Sequence, residues 1–116
     1  MPQVKIDPLA SFVAAVIEQH ECIAGGDAAR GNCASEKYIA AARTLLASGE
    51  DAIDSFAKLL AHDHDDVRVM AAAFLLRDRT AAAVSALQPI AKGGGLAALG
   101  AKMTLERYAR GELDIR

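Results

Sequence analysis

The densest group of potentially reactive side chains is the run HDHDD at residues 62–66, which holds two imidazoles and three carboxylates. Such groups together bind transition metals. Ligands two residues apart on a short turn seldom converge on one tetrahedral centre, and the remaining histidine, His20, lies in a distant segment. Asp63 or Asp65 can instead cap a following helix, with Asp65 and Asp66 placing negative charge at its positive end. The run is therefore predicted to be a capping turn, with no metal ligand assigned.

Other candidates for chemistry have weaker patterns. His20 has no Ser or Cys at a spacing that indicates a catalytic dyad, so it is predicted to lie at a core edge. The segment KGGG at 92–95 could turn backbone N–H groups toward a phosphate, but it lacks the P-loop pattern and indicates a tight turn. Cys22 and Cys33 have neither redox nor zinc spacing and are predicted to be reduced thiols, buried or half-buried. No catalytic residue and no cofactor-binding residue is predicted.

Two groups of charged residues on predicted helices remain as candidates for binding. Arg68 falls in the first turn of a helix, where the dipole does not favour a cation, so we expect it to pair with Asp63 or with an acid from a neighbouring helix. Lys102, Glu106 and Arg110 recur at intervals of four and share one helix face. That face is either internally paired and solvated or a surface for an anion or a partner.

The composition sets the fold class. A chain of 116 residues is the size of one domain, and 53% hydrophobic residues with 4% aromatic residues favour closely packed helices over a sheet. Thirteen basic and fifteen acidic residues give a net charge of −2, which disfavours nucleic acid and anionic membranes as partners. Asp7 and Glu18 interrupt the apolar part of the N-terminus, so neither a signal peptide nor a membrane span is predicted, and a cytoplasmic location follows.

The helix signals predict six helices. Asp7-Pro8 starts the first, and whether Gly31-Asn32 interrupts the second is left open by the sequence. Pro89 is predicted to kink or end the fifth helix. The predicted elements are helix one from Pro8 to the glycines at 25–26, helix two from about Asp27 to Gly49, helix three at 51–61, helix four at 65–77, apolar nearly all round, helix five from Thr80, and helix six at 96–110 with Gly111 as its C′ residue.

An internal repeat relates the last four helices. At an offset of 31, Ile53, Phe56 and Leu59 match Val84, Leu87 and Ile90. At an offset of 29, five residues of helix four match five of helix six: Val67, Met70, Ala72, Phe74 and Leu76 match Leu96, Leu99, Ala101, Met103 and Leu105. Helix pairs that recur at about thirty residues predict an α-solenoid.

The segment LLAHDHDDVRVMAAAFLL at 59–76 resembles the HEAT-repeat pattern, with its Val-Arg step and paired alanines. Over residues 8–113, including GGDAARGNCASEKY and AKMTLERYARGEL, the chain resembles a family of small bacterial HEAT-like proteins of unknown function. The resemblance implies a short right-handed α-solenoid and no catalytic residue. Ala97 stands where the second copy would repeat Arg68, so an Asp–Arg ladder along the repeats is incomplete.

One domain is predicted over residues 1–116, with a capping helix pair at 8–48, a first repeat at 51–78 and a second at 80–111. The resemblance implies that the second helix of each pair lines the concave side. The predicted function is a non-catalytic module for binding another protein, and its oligomeric state is left open between a monomer and a weak homodimer. The alternatives are a nucleic-acid-backbone binder and, least favoured, a small metal-dependent enzyme using His62 and His64. The predicted partner surface consists of Arg68, Arg77, Lys102, Glu106 and Arg110.

Overall fold

A computed structural model of the protein describes residues 7–111, and the regular structure within them is entirely helical, which confirms the all-α prediction. The chain forms two compact units that divide after Ala52. None of the helices in the described range is long and apolar enough to cross a membrane. The elements are α1 (Pro8–Gly25), α2 (Ala28–Ala47), α3 (Glu50–Ala57), a 3-10 turn (Lys58–Ala61), α4 (Asp65–Leu75), α5 (Thr80–Ala91) and α6 (Gly95–Ala109).

The first unit is built on the packing of α1 against α2. Asp7 is the N-cap of α1 and accepts a hydrogen bond from the Leu9 N–H at 3.0 Å, as the Asp-Pro start predicts. Between the two helices, the rings of Phe12 and Tyr38 meet edge to face with centroids 6.0 Å apart. Gly26 ends α1 in the left-handed conformation at φ 75°, a backbone geometry that favours glycine.

Helix α2 runs unbroken through Gly31-Asn32. Gly31 is buried, and a Cβ built on it would lie 3.5 Å from the Cβ of Cys22 on α1. A glycine inside a helix costs about 1 kcal/mol relative to Ala, and a Cβ at this distance would make only an ordinary van der Waals contact. The packing of α2 along α1 offsets that cost, so the helix continues where the local sequence leaves the outcome open. Cys22 is buried but Cys33 is exposed, so the expectation that both thiols are at least half-buried is wrong for Cys33.

The core of the second unit surrounds α4, which packs against the 3-10 turn, α5 and α6. The helix whose sequence is apolar nearly all round is thus covered on more than one side. An ideal Cβ on Gly100 would lie 3.6 Å from Cγ1 of Val69, so the α6 backbone comes close to α4. The buried residues of α4 are Val67, Val69, Ala71, Ala72, Ala73, Phe74 and Leu75.

Pro89 does not end α5, which continues to Ala91. The predicted ending at this proline is therefore wrong, while the alternative of a kink stays a prediction. Pro89 stands in the last turn, where its missing N–H removes one hydrogen bond close to the end of the helix. Leu87 is buried, whereas Val84 is half-buried. At the end of α6, Gly111 follows the C-cap with φ 70°, which confirms it as the C′ residue.

Candidate functional site

The run HDHDD forms the start of α4, and its histidines supply the capping bonds. His64 is the N-cap, and its Nδ1 accepts a hydrogen bond from the Asp66 N–H at 3.2 Å. His62 Nδ1 accepts in the same way from the His64 N–H at 3.0 Å. The prediction that Asp63 or Asp65 caps the helix is therefore wrong. In each bond the imidazole reaches the N–H two residues along the chain, as an Asn or Asp side chain does in a turn.

Both histidines face the backbone of this turn through Nδ1. Within residues 7–111, no group of three or more His, Cys, Asp or Glu side chains is placed to hold a metal ion. His62 and His64 act here as structural residues of the turn.

Asp65 and Asp66 lie in the first turn of α4, where their charge stabilises the positive end of the helix as predicted. Asp65 also forms an ion pair with Arg68, three residues further along the same helix. The predicted partners of Arg68, Asp63 or an acid of a neighbouring helix, are therefore wrong. Residues three apart are neighbours on one helix face, so Asp65 is closer to Arg68 than an acid of another helix. Arg68 Nε is buried and has no hydrogen-bond partner within the described residues.

A cavity of about 440 Å³ opens beside this ion pair. The end of α5, the turn at Gly93-Gly94 and the start of α6 supply mostly small or apolar walls, and Asp65 and Arg68 contribute charge. Gly94 is the N-cap of α6, and in the part of the chain described here no side chain completes that cap. The KGGG segment thus forms a tight turn at the rim of the cavity.

The predicted partner residues fall into two groups. Arg68 is half-exposed at the start of α4, and Arg77 is exposed just past its end. Lys102 and Glu106 are exposed on α6, and Arg110 is exposed at its C-cap. Among the described residues no ion pair joins Lys102 to Glu106. A lysine that precedes a glutamate by four residues is the weaker order for such a pair, which agrees with this.

The sequence reasoning missed an apolar surface on α6. Leu96, Leu99 and Met103 are 64%, 54% and 43% exposed, and we call these three residues the α6 stripe. Their spacing of three and four places them on one helix face. The repeat matches Leu96 to Val67 and Met103 to Phe74, which are 0% and 3% exposed. Residue type and spacing alone could not reveal the stripe, because they are alike in both copies.

A solved structure of another protein has the same fold as this chain. No protein-family model matches the chain, and no curated protein sequence matches it. The crystal structure of the protein RPA1889 from Rhodopseudomonas palustris CGA009 superimposes with a TM-score of 0.84 and 24% sequence identity, over 93% of this chain and 90% of that one. The likeness is one of fold. It carries no residue role from that protein to this chain.

Proposed function

We propose that the protein is a non-catalytic module that binds another protein through the exposed sides of α4 and α6. The observation that carries this proposal is the α6 stripe, three large apolar side chains open to solvent on one face of a helix. Removing apolar surface from water favours association, and the surplus over the entropy and desolvation costs appears as affinity. Soluble monomers seldom expose contiguous apolar patches larger than a few hundred Å² without a use for them.

The residues around the stripe also suit a binding surface. Lys102 and Glu106 are exposed on the same helix as the stripe, and Arg110 is exposed at its C-cap. An apolar centre with a polar and charged rim is the usual composition of a protein–protein interface. The sequence prediction selected this rim, and the exposed stripe supplies the apolar part that the prediction lacked.

We further propose that α3 to α6 form two HEAT-like helix pairs of a short right-handed α-solenoid. The repeat offsets of 31 and 29 residues support this arrangement. So does the packing of α4 against both α5 and α6, since each repeat of a solenoid contacts its neighbours. Solenoids of this kind act by presenting a rigid surface, which fits a binding role better than a catalytic one.

A nucleic-acid-backbone binder is the rival proposal, and charge argues against it. The basic residues of α6 are interrupted by Glu106, and the whole chain carries a net charge of −2. Binding to phosphates would make retention on heparin strong and steeply dependent on salt. A protein-binding module should pass through heparin near physiological salt.

The test is photocrosslinking from the α6 stripe in cells of the source organism. A photoreactive amino acid replaces Leu99 in the full chain, and the matched control replaces Ile23 on α1, which is 62% exposed. We expect position 99 to capture at least one other protein that position 23 does not capture. That adduct should disappear when Leu96→Asp is added and persist when the exposed Glu21 on α1 is changed to Gln. Identical capture from both positions, or capture of no other protein from position 99, would contradict the proposed function.

A further inference from the structure

We propose that the cavity beside the Asp65–Arg68 ion pair binds a small carboxylate, a monoanion with a short apolar body. The guanidinium of Arg68 and the backbone N–H groups at the start of α6 hold its charge. The cavity lies wholly within the second unit, and the α6 stripe is not part of its walls. The site therefore goes beyond the proposed function and can stand or fail without it.

Arg68 supplies the positive charge of the cavity. Its side chain is 32% exposed and lines the cavity, while its Nε is buried and has no hydrogen-bond partner within the described residues. A buried N–H without an acceptor is costly, and a bound ion is one explanation for such a group. A small rotation of the guanidinium brings Nε–H to the cavity. A carboxylate can then accept two parallel hydrogen bonds, one from Nε and one from a terminal nitrogen.

Asp65 does not satisfy this donor. Its carboxylate meets Arg68 at Nη2 and leaves Nε without an acceptor. The Asp65 side chain is 55% exposed against 32% for Arg68, so the acid lies nearer to solvent and the guanidinium lies deeper. The pair orients Arg68 and leaves part of its hydrogen-bonding capacity for a ligand.

The start of α6 provides a second group of donors. The N–H groups in the first turn of a helix have no acceptor inside that helix, and among the described residues no side chain caps α6. Gly94 and Ala97, which belong to this start, line the cavity. Gly94 is exposed, and a Cβ built on it would meet nothing within 4 Å, so a ligand has space to approach.

The charges around the cavity select a monoanion. Arg68 and Asp65 contribute opposite unit charges, and the helix start adds roughly +0.5 of a charge, so a second negative charge on the ligand is disfavoured. Leu60, Pro89 and Ile90 line the cavity together with alanines, which suits a short hydrocarbon body. The volume of about 440 Å³ lies within the range of roughly 300–1,000 Å³ for small-molecule sites.

Titration of the isotopically labelled full chain with isobutyrate, followed by NMR, tests the site. We expect the Nε–H signal of Arg68 and the amide signal of Ala97 to shift with one saturating curve and a dissociation constant on the order of millimolar. Isobutyramide has nearly the same shape without the charge, and it should bind about tenfold more weakly or worse. Inorganic phosphate, added as the dianion at matched ionic strength, should also bind more weakly. Equal binding of isobutyramide, tighter binding of phosphate, or no saturable shift at either group overturns the proposal.

Two substitutions test the donors separately. Arg68→Gln removes the charged donor and should raise the dissociation constant of isobutyrate about tenfold or more. Gly94→Asp keeps Arg68 and places a competing carboxylate at the N-cap, which should raise the constant about three- to tenfold. The matched control is Arg107→Gln, which removes an exposed arginine from the last turn of α6 and should leave the constant unchanged.

Unchanged affinity in either cavity variant overturns the assigned site, as does an equal loss in the Arg107→Gln control. Gly94→Asp leaves the Asp65–Arg68 pair intact, so it decides the question if Arg68→Gln fails to fold.

The carboxylate can come from a free small molecule or from an acidic side chain of a partner protein, and competition separates these sources. Photocrosslinking from position 99 is repeated in lysate with saturating isobutyrate and, in parallel, with isobutyramide. Loss of the adduct with isobutyrate alone assigns the site to an acidic side chain of the partner, and an unchanged adduct assigns it to a free carboxylate. Saturable isobutyrate binding in a chain that captures no other protein upholds this site and defeats the proposed function.

Discussion

Helices α4 and α6 carry apolar residues at matched positions, but the residues at two of these positions are buried in α4 and exposed in α6. Val67 and Phe74 of α4 are buried, whereas their counterparts Leu96 and Met103 of α6 stand open to solvent. α4 is covered by the 3-10 turn, α5 and α6 together, and α6 itself provides part of that cover. Whether an apolar residue is buried therefore depends on the helices packed around it as much as on the sequence of its own helix.

The two helices do differ in one respect that the sequence displays. The end of α4 continues in apolar residues through Ala73, Phe74 and Leu75, while the end of α6 carries Glu106 and Arg107. Charged side chains are almost never fully buried without a partner. The polar end of α6 therefore marks it as a surface helix, although it does not say which apolar residues stay exposed.

Truncating the matched residues should give the largest difference between the helices. Phe74→Ala should lower the free energy of unfolding by about 3–5 kcal/mol, because it opens a cavity in the core. Met103→Ala should cost less than about 1 kcal/mol, since its side chain is already in contact with water. Urea unfolding at a concentration that keeps the chain monomeric measures both. Equal losses would mean that the burial contrast between α4 and α6 is false.

The two helix starts differ as well, because a histidine caps α4 and a glycine caps α6. His64→Ala should cost about 0.5–2 kcal/mol, the usual range for losing an N-cap side chain. His64→Asn should retain most of the stability, because Asn also accepts the hydrogen bond from the backbone N–H. Thermal unfolding compares the two variants, with Asp63→Ala as the control that removes no observed capping bond. A larger loss of stability for Asp63→Ala than for His64→Ala would show that the aspartate, and not the histidine, caps α4.

The contact between α4 and α6 can be tested by adding a methyl group at Gly100. A Cβ there would meet Val69 at 3.6 Å, an ordinary van der Waals distance. Gly100→Ala should therefore raise the free energy of unfolding by about 0.4–1 kcal/mol, because it reduces the entropy of the unfolded chain. Chemical denaturation provides the measurement. A loss of stability would show that α6 lies closer to α4 than this distance allows.

The smallest expected effect comes from giving α6 the side-chain cap that α4 has. Gly94 has extended backbone angles suited to an N-cap, and a Cβ there would meet nothing within 4 Å. Gly94→Asp should stabilise the chain by a few tenths of a kcal/mol, since glycine is only slightly worse than Asp at an N-cap and the carboxylate favours the positive helix end. The difference in melting temperature from Gly94→Asn separates the charge effect from the hydrogen bond.

Local signals predicted the helix ends best. Asp7-Pro8, Gly26 and Gly111 act where the sequence places them, because capping depends on a few neighbouring residues. His64 escaped prediction because Asp is the commoner cap and two aspartates stood beside it. The persistence of α5 past Pro89 depends on how close that proline lies to the helix end.

The candidate site was predictable in one part only. The helical period places Lys102, Glu106 and Arg110 on one face, and the structure confirms their exposure. The exposure of the α6 stripe was not predictable, because it depends on which helices pack around α6 rather than on the residues it carries. The HEAT-like arrangement, the binding role and the partner stay predictions, since the likeness to a solved structure concerns the fold.

The burial of Cys22 against α2, with Cys33 exposed on α2, gives the first unit its own chemical reporter. A thiol reagent in excess should modify Cys33 at once and reach Cys22 only when α1 and α2 separate. The slow rate then measures the free energy of that local opening, in the way hydrogen exchange measures it for backbone amides. In a Cys33→Ser variant the single slow phase follows the exposure of Cys22 on α1.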